Sequence, residues 1–225
     1  LLLGVTPLHD GYLVNFADIT RQKEVERLKN DIVANVSHEL RSPLASIKGY
    51  TELLLGGLDE QDPALRHRFL SVINDETDRL SAFINEMLDL ARLESGRVQL
   101  DLTPVPVGDL VSDAARSLTV QADAAGVSIH TDVASDLPPI MADFRWIYGA
   151  IKNLISNAIK FSPHGTAVEI VARRGPSTVI VEVIDCGPGI APQDLPLLFT
   201  KFYRGSTAQQ LGVSGSGLGL VLAKQ

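Results

Sequence analysis

The apolar positions of the chain change period along its length, and each change marks a new kind of element. Leu1 to about Thr20, "LLLGVTPLHDGYLVNFADIT", holds two short apolar runs joined by His9-Asp10-Gly11, the signature of a hairpin. Two strands alone are marginal, so they predict a sheet whose remainder lies upstream. From Arg21 to about Gly56 the period becomes helical: Val25, Leu28, Ile32, Val36, Leu40, Leu44, Ile47, Thr51 and Leu54 recur at spacings of three and four. Gly56-Gly57 and Asp62-Pro63 bracket a loop, and Pro63 suits a first helical turn. A second long helix runs to about Glu94, with Phe69, Val72, Ile73, Leu80, Ile84, Met87, Leu88 and Ala91 on its apolar side. Two antiparallel helices bury too little by themselves. Pairing two such hairpins into a four-helix bundle solves this and predicts a homodimer.

Ser95-Gly96 reads as a hinge, after which the period changes again. "RVQLDLTPVPV" alternates and is broken by prolines; a helix follows from about Val107 to Ala125. "GVSIHTDV" is a strand, and "LPPIMADFRW" gives a short strand followed by Asp143, well placed to cap the next helix. That helix runs to about Phe161 and stops at Ser162-Pro163; "AVEIVARR" and "STVIVEVID" are two strong strands. Strands and helices do not alternate strictly here, which predicts an α/β sandwich with helices on one face of a mixed sheet. The fold class is thus α+β and multidomain. No internal repeat or low-complexity tract interrupts it.

Composition narrows the class. The 225 residues are 45% hydrophobic and 21% charged, as in soluble globular proteins. A net charge of −7 argues against a nucleic-acid module, which would carry a basic field. One cysteine, Cys186, cannot form an internal disulfide, and this predicts a reducing, cytoplasmic setting. No apolar run approaches the roughly 20 residues of a membrane span. "LLLGV" lacks the basic flank of a signal peptide, and the chain does not begin with methionine. The expectation is a cytoplasmic piece of a longer protein, with any membrane anchor upstream.

Candidate chemistry begins with "NVSHELRSPLASIKGY", Asn35 to Tyr50. At about 100° per residue the apolar stripe centres opposite His38, which is predicted to face solvent. Pro43, lacking an amide donor, should kink the helix. A lone exposed histidine is more often an ordinary surface group. Chemically, though, a neutral imidazole nitrogen is a nucleophile, and an adjacent carboxylate such as Glu39 can take the proton from the other nitrogen. Such a nucleophile needs an electrophile.

Two glycine clusters near the end suggest one: "DCGPGI" at Asp185–Ile190 and "GSGLGL" at Gly215–Leu220. Asp185 leaves a strand end, where a carboxylate can accept from an exocyclic amine such as adenine N6. Gly187 and Gly189 let the backbone pass close to a ring. The second cluster opens an apolar helical run, so its amides would face a polyphosphate. No Gly-Lys-Ser/Thr follows, which excludes a P-loop, and no βαβ unit surrounds it, which excludes a dinucleotide fingerprint. Upstream, "NLISNAIKFS" puts Asn153 and Asn157 on one helix face with Lys160 nearby. Amide oxygens suit Mg²⁺ and a lysine suits phosphate; ordinary solvation is the plainer alternative. Phe161 packs either near a base or into the core.

Together these stretches resemble a sensor histidine kinase of a bacterial two-component system. "SHELRSP" resembles the family's phosphoacceptor box, "NLISNAIKFS" its asparagine box and "DCGPGI" its first glycine box; "LFTKFYRG" resembles the phenylalanine box and "GSGLGL" the second glycine box. The five stand in the family's order from Asn35 almost to the end. "GYLVNFADIT" resembles the last strands and exit of a PAS domain.

The resemblance implies three parts: 1–20 as the end of a PAS-like sensor, 21–95 as the dimerising phosphoacceptor hairpin, and 96–225 as an ATP-binding domain. It implies that His38 is autophosphorylated from Mg-ATP, with Glu39 as general base, and that the phosphoryl group passes to an aspartate of a response regulator receiver domain. Asn157 would hold Mg²⁺, Asn153 would assist and Lys160 would meet phosphate. Asp185 would bind adenine. Gly187, Gly189, Gly215, Gly217 and Gly219 would shape the pocket, with Phe161, Ile190 and Leu218 in the ATP site. Ala191 to Ser214 would form a lid in which Phe199 and Phe202 pack and Arg204 meets the γ-phosphate, while Lys201 and Tyr203 could be merely solvated. Cys186 would be a small space-filler.

Two departures bear on this. The chain stops at Gln225, where the family continues with the rest of a helix and closing strands, so the ATP-binding domain reads as C-terminally incomplete. Ser42 stands where relatives often carry threonine or asparagine to orient a water for dephosphorylating the partner. A clamp ATPase of the gyrase and heat-shock chaperone kind would share the asparagine and glycine boxes but lack "SHELRSP". A non-catalytic dimerisation scaffold would lack the nucleotide boxes.

Overall fold

The structure is a computed structural model that describes residues 2–57, 62–96, 98–213 and 215–225. The loop expected after Gly57, the lid's end at Ser214 and the side chains of Val25, Leu28 and Ile32 lie outside the described residues. The chain divides into two compact units, Leu1–Ser81 and Ala82–Gln225.

In the first unit β1 (Leu2–Leu8) and β2 (Gly11–Ala17) pair antiparallel, with Leu8 opposite Gly11, so the Asp-Gly turn closes as its sequence predicts. The Asp18 carboxylate takes the Thr20 amide at 2.9 Å where the long helix α1 (Thr20–Leu55) begins. Pro43 lies inside α1 and is buried; the helix continues for about three more turns, so the missing amide does not end it. The second helix, α2 (Pro63–Glu94), starts where Asp62 accepts the Ala64 and Leu65 amides at 2.9 and 3.2 Å, with Pro63 in the first turn. Tyr50 of α1 rests against Phe69 of α2, ring centroids 5.3 Å apart. Most described positions of the apolar stripes are partly buried, but Leu44 of α1 and Ile84 and Leu88 of α2 are exposed.

The second unit holds the last turns of α2 and an α/β layer structure. Strands β3 (Thr103–Val105) and β5 (Ile140–Ala142) pair antiparallel. A separate three-stranded sheet has β6 (Ala167–Arg174) at its centre, parallel to β4 (Ser128–Val133) and antiparallel to β7 (Val179–Ile184). Alternation along β6 sends Val168, Ile170 and Ala172 into the core. There they meet Leu110 and Val111 from α3 (Val107–Ser117), Ala122 from α4 (Thr119–Ala125), and Ile155 and Ile159 from α5 (Phe144–Phe161).

The one helix expected over 107–125 is therefore two. Leu118 breaks it with φ −109° and ψ 3°, and its own side chain is buried. The bend lets both halves aim their apolar residues at one sheet, a tertiary gain that outweighs an unbroken helix. Asp143 caps α5 as predicted, accepting the Arg145 amide at 3.0 Å, and its other oxygen takes the Asp101 amide at 3.1 Å. The chain closes with α6 (Ser206–Gln210) and α7 (Gly219–Lys224). Among the described residues, no helix is long and apolar enough to cross a membrane.

Candidate active site

On α1, His38 is exposed, and Ser42 is exposed one turn further on, so the two share a solvent-facing stripe. Glu39 is half-buried and stands 3.8 Å from Arg79 of α2, which also lies 3.8 Å from Glu76. Ion pairs this open contribute little stability, and Arg79 shares this one with Glu76. Nothing in the apolar pattern singles out Arg79, because its role depends on a partner in the other helix.

In the second unit, α5 organises the remaining residues. Its face carries Asn153, Asn157 and Phe161 on successive turns. At one end Asn153 Nδ2 donates to the Gly219 carbonyl at 3.2 Å, and a Cβ on Gly219 would come within 3.3 Å of the Asn153 amide carbon. At the other end Gly187 passes over Phe161, where a Cβ would stand 3.0 Å from the Phe161 carbonyl oxygen. Asp185, exposed just past the end of β7, accepts the Gly187 amide through Oδ1 at 2.8 Å and holds that turn. Gly189 follows with φ +73°, and Ile190 is exposed. Both glycine segments thus land on one helix face. Asn157 sits between them, half-buried, and its side-chain amide makes no hydrogen bond among the described residues.

The segment between the glycine clusters is tied down by polar side chains. Asp194 is 4% exposed and accepts from the Tyr203 hydroxyl and from the Ser206 amide and hydroxyl, each at 2.8 Å. The Ser206 and Tyr203 hydrogen bonds hold its carboxyl below the usual range, and the same contact raises the Tyr203 phenol. Phe202 is buried at φ +61°, and its amide donates to the Gly217 carbonyl at 3.1 Å. Gly217 has φ +70° and lies against the Phe202 and Tyr203 backbone. Leu218 is fully buried beside it.

Several expectations change here. Tyr203 and Lys201 are engaged rather than merely solvated, Tyr203 with Asp194 and Lys201 in an ion pair with Glu94 of α2. Arg204 directs one guanidinium nitrogen to the Val213 carbonyl at 2.6 Å. Phe199 is exposed under Lys224, 4.8 Å from its ring, instead of packing in the lid. Cys186 is exposed, with its thiol 3.7 Å from the Ala167 carbonyl, so it fills no internal space.

Two further residues carry no mark in the sequence. Ser216, inside the second glycine segment, accepts the Leu218 amide at 3.1 Å and donates to the Glu86 carboxylate of α2 at 2.5 Å. Burial pushes Glu86 up, against the lowering influence of Ser216 and Lys160. Lys160 itself is exposed on α5. Among the described residues, no group of three or more His, Cys, Asp or Glu could hold a metal. Amide oxygens are hard donors, and Asn157 carries one on this face.

Residues 28–96 match the His Kinase A (phospho-acceptor) domain, and residues 142–225 match the histidine kinase-, DNA gyrase B- and HSP90-like ATPase family. The sensor-like histidine kinase SenX3 of Mycobacterium tuberculosis is 36% identical over 200 residues, 89% of this chain and 48% of that protein. The chain thus spans about half the length of that curated relative. Among solved structures, the Acinetobacter baumannii histidine kinase AdeS superposes with a TM-score of 0.63 at 25% identity, covering 83% of each chain. Full-length ShkA in complex with AMPPNP gives 0.61 at 29% identity, covering 86% of this chain and 40% of that one. The chain thus carries a His Kinase A phospho-acceptor domain followed by a histidine kinase-, DNA gyrase B- and HSP90-like ATPase domain, and over most of its length it is similar to sensor histidine kinases.

Proposed function

We propose that the chain transfers the γ-phosphoryl group of Mg-ATP to His38 and passes it to an aspartate of a response regulator receiver domain. The observation that carries this reading is the meeting of both glycine segments on the Asn153–Phe161 face of α5, in a chain that also presents an exposed His38. Asp185 accepts from the adenine amine through the oxygen that Gly187 does not use. Gly187 and Gly189 admit the ring, beside Phe161 and Ile190. Gly215, Gly217, Leu218 and Gly219 line the phosphate side with Lys160, and Arg204 serves the terminal phosphate through nitrogens not given to Val213.

The donor chemistry of Asn157 fits Mg²⁺: it is a half-buried amide oxygen with no other hydrogen-bond claim, and Asn153 holds the adjoining turn to Gly219. Bound there with phosphate and water ligands, the ion would neutralise charge on the phosphates. His38 attacks phosphorus through one ring nitrogen, the bond to the bridging oxygen breaks, and ADP leaves with that electron pair. Glu39, beside Arg79, accepts the proton from the other ring nitrogen. Ser42, exposed beside His38, can orient a water for dephosphorylating the regulator.

Exposed Leu44 in the first unit, and exposed Ile84 and Leu88 in the second, each leave apolar helix surface that pairing with a second copy into a four-helix bundle would cover. The β1–β2 hairpin running into α1 supports reading 1–20 as the end of a PAS-like sensor, ahead of the hairpin 21–95 and the ATP-binding domain 96–225. The reactions belong in the cytoplasm.

The test is incubation with ATP labelled at either the γ or the α phosphate, followed by addition of receiver domains. Label from the γ position alone should enter the chain and then move to a receiver. Entry of α-label, or no entry from either, would overturn the reading.

A further inference from the structure

The last turns of α2 touch the ATP-binding layers through three carboxylates. Asp89 meets Arg145 at the start of α5 at 2.6 Å, Glu94 pairs with Lys201, and Glu86 accepts the Ser216 hydroxyl at 2.5 Å. Phe83 and Leu90 are buried on the same helix. The three carboxylates are not equivalent. Asp89 and Glu94 sit in partly solvated ion pairs, of the kind that contribute little. Glu86 is half-buried, within the field of Lys160, and bonded to a hydroxyl in the middle of the second glycine segment.

A carboxylate and a phosphate are both anionic oxygen acceptors, and they seek the same hydroxyl and ammonium partners. We infer that the Glu86 contact is autoinhibitory: the Glu86 carboxylate takes the Ser216 hydroxyl and the Lys160 field that the terminal phosphates of a nucleotide require, so α2 and nucleotide compete for the second glycine segment. This rests on the proposed placement of nucleotide phosphates between α5 and that segment. Nucleotide entry then displaces Glu86, leaving α2 held by the two weaker pairs, and the ATP-loaded layers are released from the helix they rest on. Conversely, anything that presses α2 onto Ser216 lowers nucleotide occupancy, which gives an upstream sensor a direct lever on the kinase.

The experiment titrates Mg-ATP and adenosine into the full chain, comparing wild type, Glu86→Gln and Asp185→Asn. Gln keeps the shape and removes the charge. Glu86→Gln should tighten Mg-ATP about tenfold, the scale of one charged hydrogen bond, and leave adenosine affinity unchanged. Glu86→Asp, which withdraws the carboxylate by one methylene, should fall between Gln and wild type and guards against a Gln variant that misfolds. Equal Mg-ATP affinity in wild type and both Glu86 variants, or equal tightening of adenosine and Mg-ATP, would overturn the inference. In those cases loss of binding in Asp185→Asn would leave the nucleotide site itself standing. Wild-type binding by Asp185→Asn would instead remove the nucleotide placement, and the inference with it.

Discussion

Replacing Gly217 by alanine tests whether the second glycine segment is shaped by sterics or merely by habit of sequence. A Cβ at Gly217 would lie 2.7 Å from the Phe202 carbonyl carbon, 2.8 Å from the Tyr203 carbonyl oxygen and 2.9 Å from the Phe202 α-carbon. All three are backbone atoms, so no side chain can swing away. Ordinary carbon contacts sit near 3.5–4.0 Å, and the segments would have to part by roughly 0.7 Å or more. The left-handed φ of +70° adds about 1–2 kcal/mol for a residue with a Cβ. Parting the segments also strains or breaks the bond from the Phe202 amide to the Gly217 carbonyl, worth about 1 kcal/mol. Together these give about 2–3 kcal/mol, or a loss of Mg-ATP affinity of roughly 30- to 150-fold. Gly215, in the same motif, has no heavy atom within 4 Å of its Cβ position and no left-handed φ. Gly215→Ala should therefore lose far less Mg-ATP affinity than Gly217→Ala. Isothermal titration with Mg-ATP, with thermal melting as a folding control, measures both. Equal losses for the two variants, or wild-type affinity for Gly217→Ala, would refute the steric argument.

Other residues give further tests. Asp194 has a folded-state pKa held below its unfolded value by Ser206 and Tyr203, so its stabilisation is present above about 3.9 and lost as pH falls through the folded value. Asp194→Asn should therefore lower the melting temperature at neutral pH, and the gap to wild type should close in strong acid; a gap independent of pH would refute the assignment. Asn157→Ala should abolish the Mg²⁺ dependence of nucleotide affinity while leaving the sedimentation behaviour of the chain unchanged, and a persisting Mg²⁺ effect would move the metal elsewhere. Glu39→Gln should slow autophosphorylation by about 10²- to 10⁴-fold, the range of a general base, whereas Ser42→Ala should spare it and slow regulator dephosphorylation. Parallel losses of both activities in both variants would show that the two roles are not separable.

What could be read from sequence was whatever is local. Asp62 and Pro63 announce the start of α2, Asp143 announces α5, and Ser162-Pro163 ends it, because caps and prolines act on amides a few residues away. His38 is legible as exposed because one helical wheel suffices. The break at Leu118 is not legible, since the residues on both sides favour a helix and only the shared sheet makes the bend worthwhile. Asp194 looks like any loop acid until Tyr203 and Ser206 fold back onto it. Glu86 and Ser216 are farther still from legible: they lie 130 residues apart, and a glutamate among the polar residues of an amphipathic helix carries no mark of its partner. Local chemistry thus marks the glycine segments and the exposed histidine. The groups that hold the glycine segments in place emerge only from tertiary contacts.

The central claim is that His38 receives the phosphoryl group, and labelling of His38→Gln tests it most directly. Wild-type chain incubated with γ-labelled Mg-ATP should acquire label that is lost in acid and stable in base, as a phosphoramidate is. The His38→Gln variant should bind Mg-ATP with wild-type affinity and acquire none. Base-stable, acid-labile label persisting in His38→Gln would place the phosphoryl acceptor on another residue and contradict the account.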